Sequence, residues 1–209
     1  MANAYGTLNS ATVSLNMKPP TGSTLSAPWI SADVGATGLT GSAYNFSGIY
    51  TVNGAGANAG GATADQFRYV YQTMVGDGSI IAKINSQSGT NVNGLAGIMI
   101  RETTQNGSSF MSAARRGDGK MIVRSRLTTG AATTTVTNSA TFNFPNYWLE
   151  LVRANNSITA LTSTNGTSWV AFKTNTFTMA TNITFGLFVT SGSTNALDSD
   201  TFTNITAVP

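Results

Sequence analysis

The sequence predicts an all-β domain, an antiparallel sandwich or barrel. No segment sustains a 3.6-residue apolar period with helix formers and caps. Short runs rich in Val, Ile, Thr and aromatic residues recur instead. Turn-forming residues separate them. Gly76-Asp77-Gly78, Gly117-Asp118-Gly119, Asn155-Asn156 and Asn165-Gly166 all tolerate the positive φ that tight hairpins need.

Taken in chain order, the strand expectations begin with Trp29–Asp33, Tyr44–Ser47, Ile49–Val52, Phe67–Val75, Ile80–Ser86 and Leu95–Glu102. They continue with Phe110–Arg115, Lys120–Leu127, Thr133–Thr137 and Tyr147–Arg153. Ser157–Ser163, Trp169–Lys173, Ile183–Thr190 and Thr201–Val208 complete them. Residues 28–209 read as one sandwich domain and residues 1–27 as an extended N-terminal arm. In the arm, Ala11–Met17 alternates, so Val13, Leu15 and Met17 share one face of a lone strand. That strand either pads the domain's own sheet edge or adds to a neighbouring subunit's sheet; disorder is the third option. Pro19-Pro20 suits a short hinge in each case.

Composition narrows the chemistry. Of 209 residues, 22 are Gly, 33 Thr, 21 Ser and 20 Asn, nearly half the chain. A 41% hydrophobic content with a net charge of only +3 argues for a folded domain rather than disorder. There is no His and no Cys, which removes a Ser-His-Asp triad, a Cys nucleophile, disulfides and an ordinary zinc or copper site. Eleven cations against eight anions give no dense basic stripe, so no nucleic-acid partner is expected. No apolar run approaches the roughly 20 residues that span a bilayer, so no membrane insertion is expected. The first residues lack the basic and apolar regions of a signal peptide.

From Trp29 onward the motifs fall in a recognisable order. Trp29–Gly35 is followed by Gly38 and Gly41-Ser42-Ala43, then by Asp65–Tyr71, Gly76–Ile80 and Ala96–Glu102. Tyr147–Arg153, Ser163–Trp169, Gly186–Ser191 and Thr201–Ile205 follow. Together they resemble the concanavalin A-like lectin/glucanase superfamily, in the form of jelly-roll domains appended to secreted bacterial proteins. The resemblance spans about residues 29–208. It implies a two-sheet antiparallel jelly-roll sandwich with a carbohydrate-binding or accessory role and no catalysis of its own. Gly192 stands where such domains often carry His, and Thr203 where they often carry Asp. The resemblance therefore supplies no acid at Thr203 for a calcium site.

The acids offer little catalysis. Only Asp33, Asp65, Asp77, Glu102, Asp118, Glu150, Asp198 and Asp200 exist, and the Glu-x-Asp-x-x-Glu pattern of related glucanases is absent. A glycosidase needs two acids flanking the bond. Asp198-Ser199-Asp200 puts two acids on one side of an extended segment ahead of the last strand. Solvated loop acids are the expectation there and a calcium-ligand pair the alternative. No cofactor is expected.

The cations are more informative. Alternation sets Lys120, Ile122, Arg124 and Arg126 against a core set of Met121, Val123, Ser125 and Leu127. If 95–102, 110–116 and 120–127 form a meander, several of Arg101, Arg115, Arg116, Arg124 and Arg126 can line one sheet face. Arg donors there suit sugar hydroxyls or acidic groups. The alternative is that they pair with Glu102, Asp65 and Asp118. Phe67, Tyr69 and Tyr71 share a strand face, and Tyr69 and Tyr71 are candidate sugar platforms. Trp148 and Trp169 are expected in the core. Gly54–Gly61 lacks the Gly-Lys-Ser/Thr ending of a phosphate loop and reads as a flexible or tightly packed loop.

Two functions follow as expectations. One is a non-catalytic glycan-binding or adhesion domain, extracellular or on a cell surface. The other is a structural subunit of a filament, sheath or virion surface, assembling as a homo-oligomer through the arm.

Overall fold

The computed structural model describes residues 24–89, 91–141, 143–144 and 147–208. Val13, Leu15 and Met17 lie outside the described residues. The strands are β1 Ile30–Val34, β2 Ser42–Phe46, β3 Ile49–Gly56, β4 Phe67–Val75, β5 Gly78–Ser86, β6 Leu95–Arg101 and β7 Phe110–Arg116. They continue as β8 Lys120–Arg126, β9 Thr134–Thr141, β10 Trp148–Ala154, β11 Ser157–Ser163, β12 Val170–Thr176, β13 Asn182–Thr190 and β14 Ser193–Val208. Among the described residues no helix is long and apolar enough to cross a membrane.

The strands form two antiparallel sheets of seven, a jelly-roll sandwich. The first runs β1-β4-β13-β6-β7-β8-β9 and the second β12-β11-β10-β5-β14-β3-β2. The two sequence-late strands lie in the middle: β13 between β4 and β6, β14 between β5 and β3. The expected meander is present as β6-β7-β8, with Met99 opposite Ser112 and Ser112 opposite Arg124. Thr24 bridges Asn45 of the edge strand β2.

Period-two alternation gives the first sheet two different faces. Its inner face (Val70, Ala96, Ile98, Ile100, Met111, Ala113, Val123, Leu187) packs on Val52, Ile80, Ile84, Leu149, Leu151 and Phe202 of the second sheet. Its outer face carries a second apolar cluster, of Val34, Phe67, Tyr69, Leu95, Met99, Phe110, Ala114, Ile122 and Phe188. Ala59 completes that cluster from the loop after β3, so the loop lies across the face.

Candidate functional site

The outer face of the first sheet is where the sequence places its arginines. The structure brings Arg101, Arg124 and Arg126 together there and buries two of them. Arg101 and Arg126 are fully buried on either side of Asp65, itself fully buried. Arg101 Nη1 donates to Asp65 Oδ2 at 2.6 Å. Arg126 donates from Nη1 to Oδ2 at 2.7 Å and from Nη2 to Oδ1 at 2.8 Å. The Gly60 amide adds a bond to Oδ1 at 3.1 Å. Aromatic faces flank both cations: Arg101 lies 5.5 Å from the Phe67 ring, and Arg126 5.3 Å from that of Phe110. Burial lowers the pKa of the Arg101 guanidinium, and Asp65 opposes that shift.

This triad fastens the loop between β3 and β4. Arg126 Nη2 also holds Gly61 O, and Arg124 Nη1 holds Asn58 Oδ1 and Ala59 O. The Gly-rich stretch is the tightly packed alternative, and small residues are what permit it. A Cβ on Gly60, whose φ is +114°, would sit 2.7 Å from Cδ of Arg124.

The other expected site residues separate. Tyr69 is fully buried and stacks on the half-buried Tyr71 at 5.0 Å; its hydroxyl donates to Met99 O. Burial raises the Tyr69 hydroxyl well above its ordinary pKa. Arg116 is half-exposed and pairs with Asp118. Arg115 points the other way, because it follows Met111 and Ala113 on the inner face. Its guanidinium lies 4.4 Å from the Phe144 ring and donates to Gln87 Oε1. The pairing alternative holds for Asp65 and Asp118. Glu102 instead accepts from Ser109 Oγ at 2.7 Å and from the Ala180 amide at 2.8 Å.

Glu102 belongs to a different site, at one end of the sandwich. A cleft of about 520 Å³ opens between Glu102, Ser109, Leu127, Thr128, Thr129, Thr176, Phe177 and Thr178. Alternation explains it. Glu102 and Leu127 follow Arg101 and Arg126, so both face inward just beyond the ends of β6 and β8. The opposing wall is only β12, the edge of the second sheet, with the residues after it. Asn175 Nδ2 donates to Ser125 Oγ at 2.8 Å and ties the two walls together. The lining is chemically mixed: one carboxylate held in place by two donors, five hydroxyls, a half-buried phenyl ring and the 41% exposed Leu127. A sugar presents the complement, hydroxyls on its edges and C–H groups on its faces.

No protein-family model matches the chain, and no curated protein matches it in sequence. Solved structures do. A functionally unknown protein from Saccharomyces cerevisiae matches at a TM-score of 0.66 and 15% identity, over 80% of this chain and 92% of that one. The carbohydrate-binding module CBM66 from Bacillus subtilis matches at 0.55 and 12%, over 86% and 95%. The chain has the fold of a carbohydrate-binding module. It shares that fold equally with an enzyme: the alginate lyase from Klebsiella pneumoniae matches at 0.53 and 10%, over 78% and 82%. At these identities the likeness is one of fold, and fold does not fix function.

Two further expectations are corrected. Trp148 and Trp169 are half-buried rather than core residues. Trp148 stands on the outer face of the second sheet, with Lys83 Nζ 5.7 Å from its ring centroid. Asp198 and Asp200 are not solvated loop acids. They lie within β14, opposite Gly54 and Val52, and point into the space between the sheets with 7% and 0% exposure.

Proposed function

We propose that this protein is a non-catalytic glycan-binding domain of the concanavalin A-like type, working outside the cell, and that it holds a neutral sugar in the Glu102 cleft. The observation that carries the reading is the lining itself. Glu102 is fixed by Ser109 and Ala180, so its carboxylate meets a ligand with little further ordering cost. Vicinal sugar hydroxyls are good donors to such a carboxylate, and each charge-assisted bond contributes about 1.5–3 kcal/mol. Phe177 and Leu127 offer apolar surface to a pyranose or furanose face. An acidic glycan would meet the Glu102 charge and be disfavoured. Hydrolysis by an acid–base pair needs a second carboxylate about 5–10 Å away. The cleft lining holds only one.

Calorimetric titration of the full chain with neutral gluco-, fructo- and manno-oligosaccharides, and with alginate oligosaccharides, tests this. Binding of at least one neutral series is expected, with Glu102→Gln and Phe177→Ala each weakening it about tenfold, as loss of roughly 1.4 kcal/mol would. No neutral binding at millimolar sugar, or affinity unchanged in Glu102→Gln, overturns the reading.

A further inference from the structure

Asp198 and Asp200 pose an electrostatic problem that the fold leaves unanswered. Both are more than nine-tenths buried. Among the described residues the ion pairs are Arg68–Asp33, Arg101–Asp65, Arg126–Asp65 and Arg116–Asp118, and none includes these two acids. Asp200 Oδ1 accepts the Ser88 amide at 2.8 Å, while Asp200 Oδ2 and Asp198 Oδ2 are buried without a hydrogen-bond partner. Two carboxylates withdrawn from water need protons, donors or a cation.

The surroundings favour a cation. Both carboxylates meet the loop that joins β5 to β6. The Asp198 carboxylate lies against Gly89, where any Cβ would come within 1.8 Å of Oδ2. At Gly94, a Cβ would lie 3.1 Å from both Asp198 Oδ2 and Asn91 O and 3.3 Å from Ser191 O. Carboxylate and carbonyl oxygens therefore converge where glycines leave room. Arg115 acts electrostatically on Asp200 without forming an ion pair with it, and its Nη1 is engaged by Gln87 and Arg116 O and its face by Phe144. Among the described residues no three acidic, His or Cys side chains gather, so main-chain oxygens must complete the set.

We propose that Asp198 and Asp200, with the Ser191 carbonyl, bind a hard divalent cation of the calcium class at this end of the sandwich. All-oxygen donors select a hard ion, and mixed carboxylate and carbonyl donors in irregular geometry suit calcium better than the octahedral magnesium. The cation neutralises both acids and clamps β14 to the loop before β6. The site lies on the opposite side of β14 from Thr203, since Asp200 shares its face with Phe202. It is independent of the Glu102 cleft.

The test is calorimetry of the EDTA-treated full chain with calcium and with magnesium at about pH 8, because carboxylate ligands bind a metal in their deprotonated form. One calcium per chain is expected, with magnesium at least tenfold weaker and the melting temperature raised several degrees by millimolar calcium. Asp198→Asn/Asp200→Asn should lower calcium affinity at least about tenfold. Because that variant can fail to fold, manganese is also added to the wild-type chain and amide broadening is read by NMR. Broadening centred on residues 88–94 and 191–200 supports the site. No calcium heat and no melting shift in the wild type, which would mean that protons alone hold the pair, overturns it. So does broadening centred elsewhere, or calcium affinity retained in a folded double variant.

Discussion

Replacing Asp65 by Asn removes one charge and almost no volume, at the point where two fully buried guanidiniums converge. Wild-type Asp65 accepts four hydrogen bonds: two from Arg126, one from Arg101 and one from the Gly60 amide. The Asn oxygen can replace Oδ1, keeping Gly60 and one Arg126 bond. Its amide replaces Oδ2 and points a donor at two other donors. Two charge-assisted bonds are lost, at about 1.5–3 kcal/mol each. The sum, roughly 3–6 kcal/mol, overlaps the ~3–5 kcal/mol typical of breaking a buried ion pair from one side. For a domain of this size each kcal/mol moves the melting temperature by about 2–4 °C. A fall of roughly 6–24 °C is therefore expected by circular dichroism. Hydrogen exchange should also rise first in residues 57–66, because the triad is what holds that loop across the sheet. A melting temperature within about 2 °C of wild type would refute the reasoning. It would mean that the two guanidiniums find water, and that the loop does not seal them.

Other consequences are testable in the same way. Burial raises the Asp200 carboxyl from 3.8 to about 7, with Asp198 adding to the shift and Arg115 opposing it. The folded state then binds the proton more tightly than the unfolded chain, so stability is greatest below about pH 4 from this group and falls as pH rises towards 7. Denaturant titrations in EDTA should show a loss on the order of 4 kcal/mol across that window, and Asp200→Asn should flatten it; an equal slope in the variant would discount Asp200. Gly60→Ala puts a Cβ against Arg124 at a positive φ. A cost of about 1–3 kcal/mol is expected by chemical denaturation, and a neutral result would show that Arg124 and the loop give way freely.

The strand pattern was legible because it is a local property. Phe67–Val75 and Ser157–Ser163 have the expected limits, since turn residues and alternation bound them on both sides. The start of β14 was not legible. Ser193–Asp200 is rich in Ser, Asn and Asp and reads as loop, yet it extends β14 along β3 through a register shift. Pairing with a ready neighbour overrides weak strand propensity. That longer strand is what carries Asp198 and Asp200 into the interior.

The candidate sites divide along the same line. Alternation correctly put Arg101, Arg124 and Arg126 on one face, but it says nothing about what covers a face. Residues 57–66 cover it, and so all three arginines hold the loop in place, two of them fully buried. No local signal links Glu102 to residues 127–129 and 176–178, because they meet only where the ends of two sheets come together. By itself the sequence determined the all-β class, most strand limits to within a residue, the absence of His and Cys side chains, and which residues of a strand share a side. Tertiary structure alone decided the strand order, which face is sealed and which charged groups stay in water. Side-chain direction follows from backbone period within a strand, whereas burial depends on segments far away in sequence.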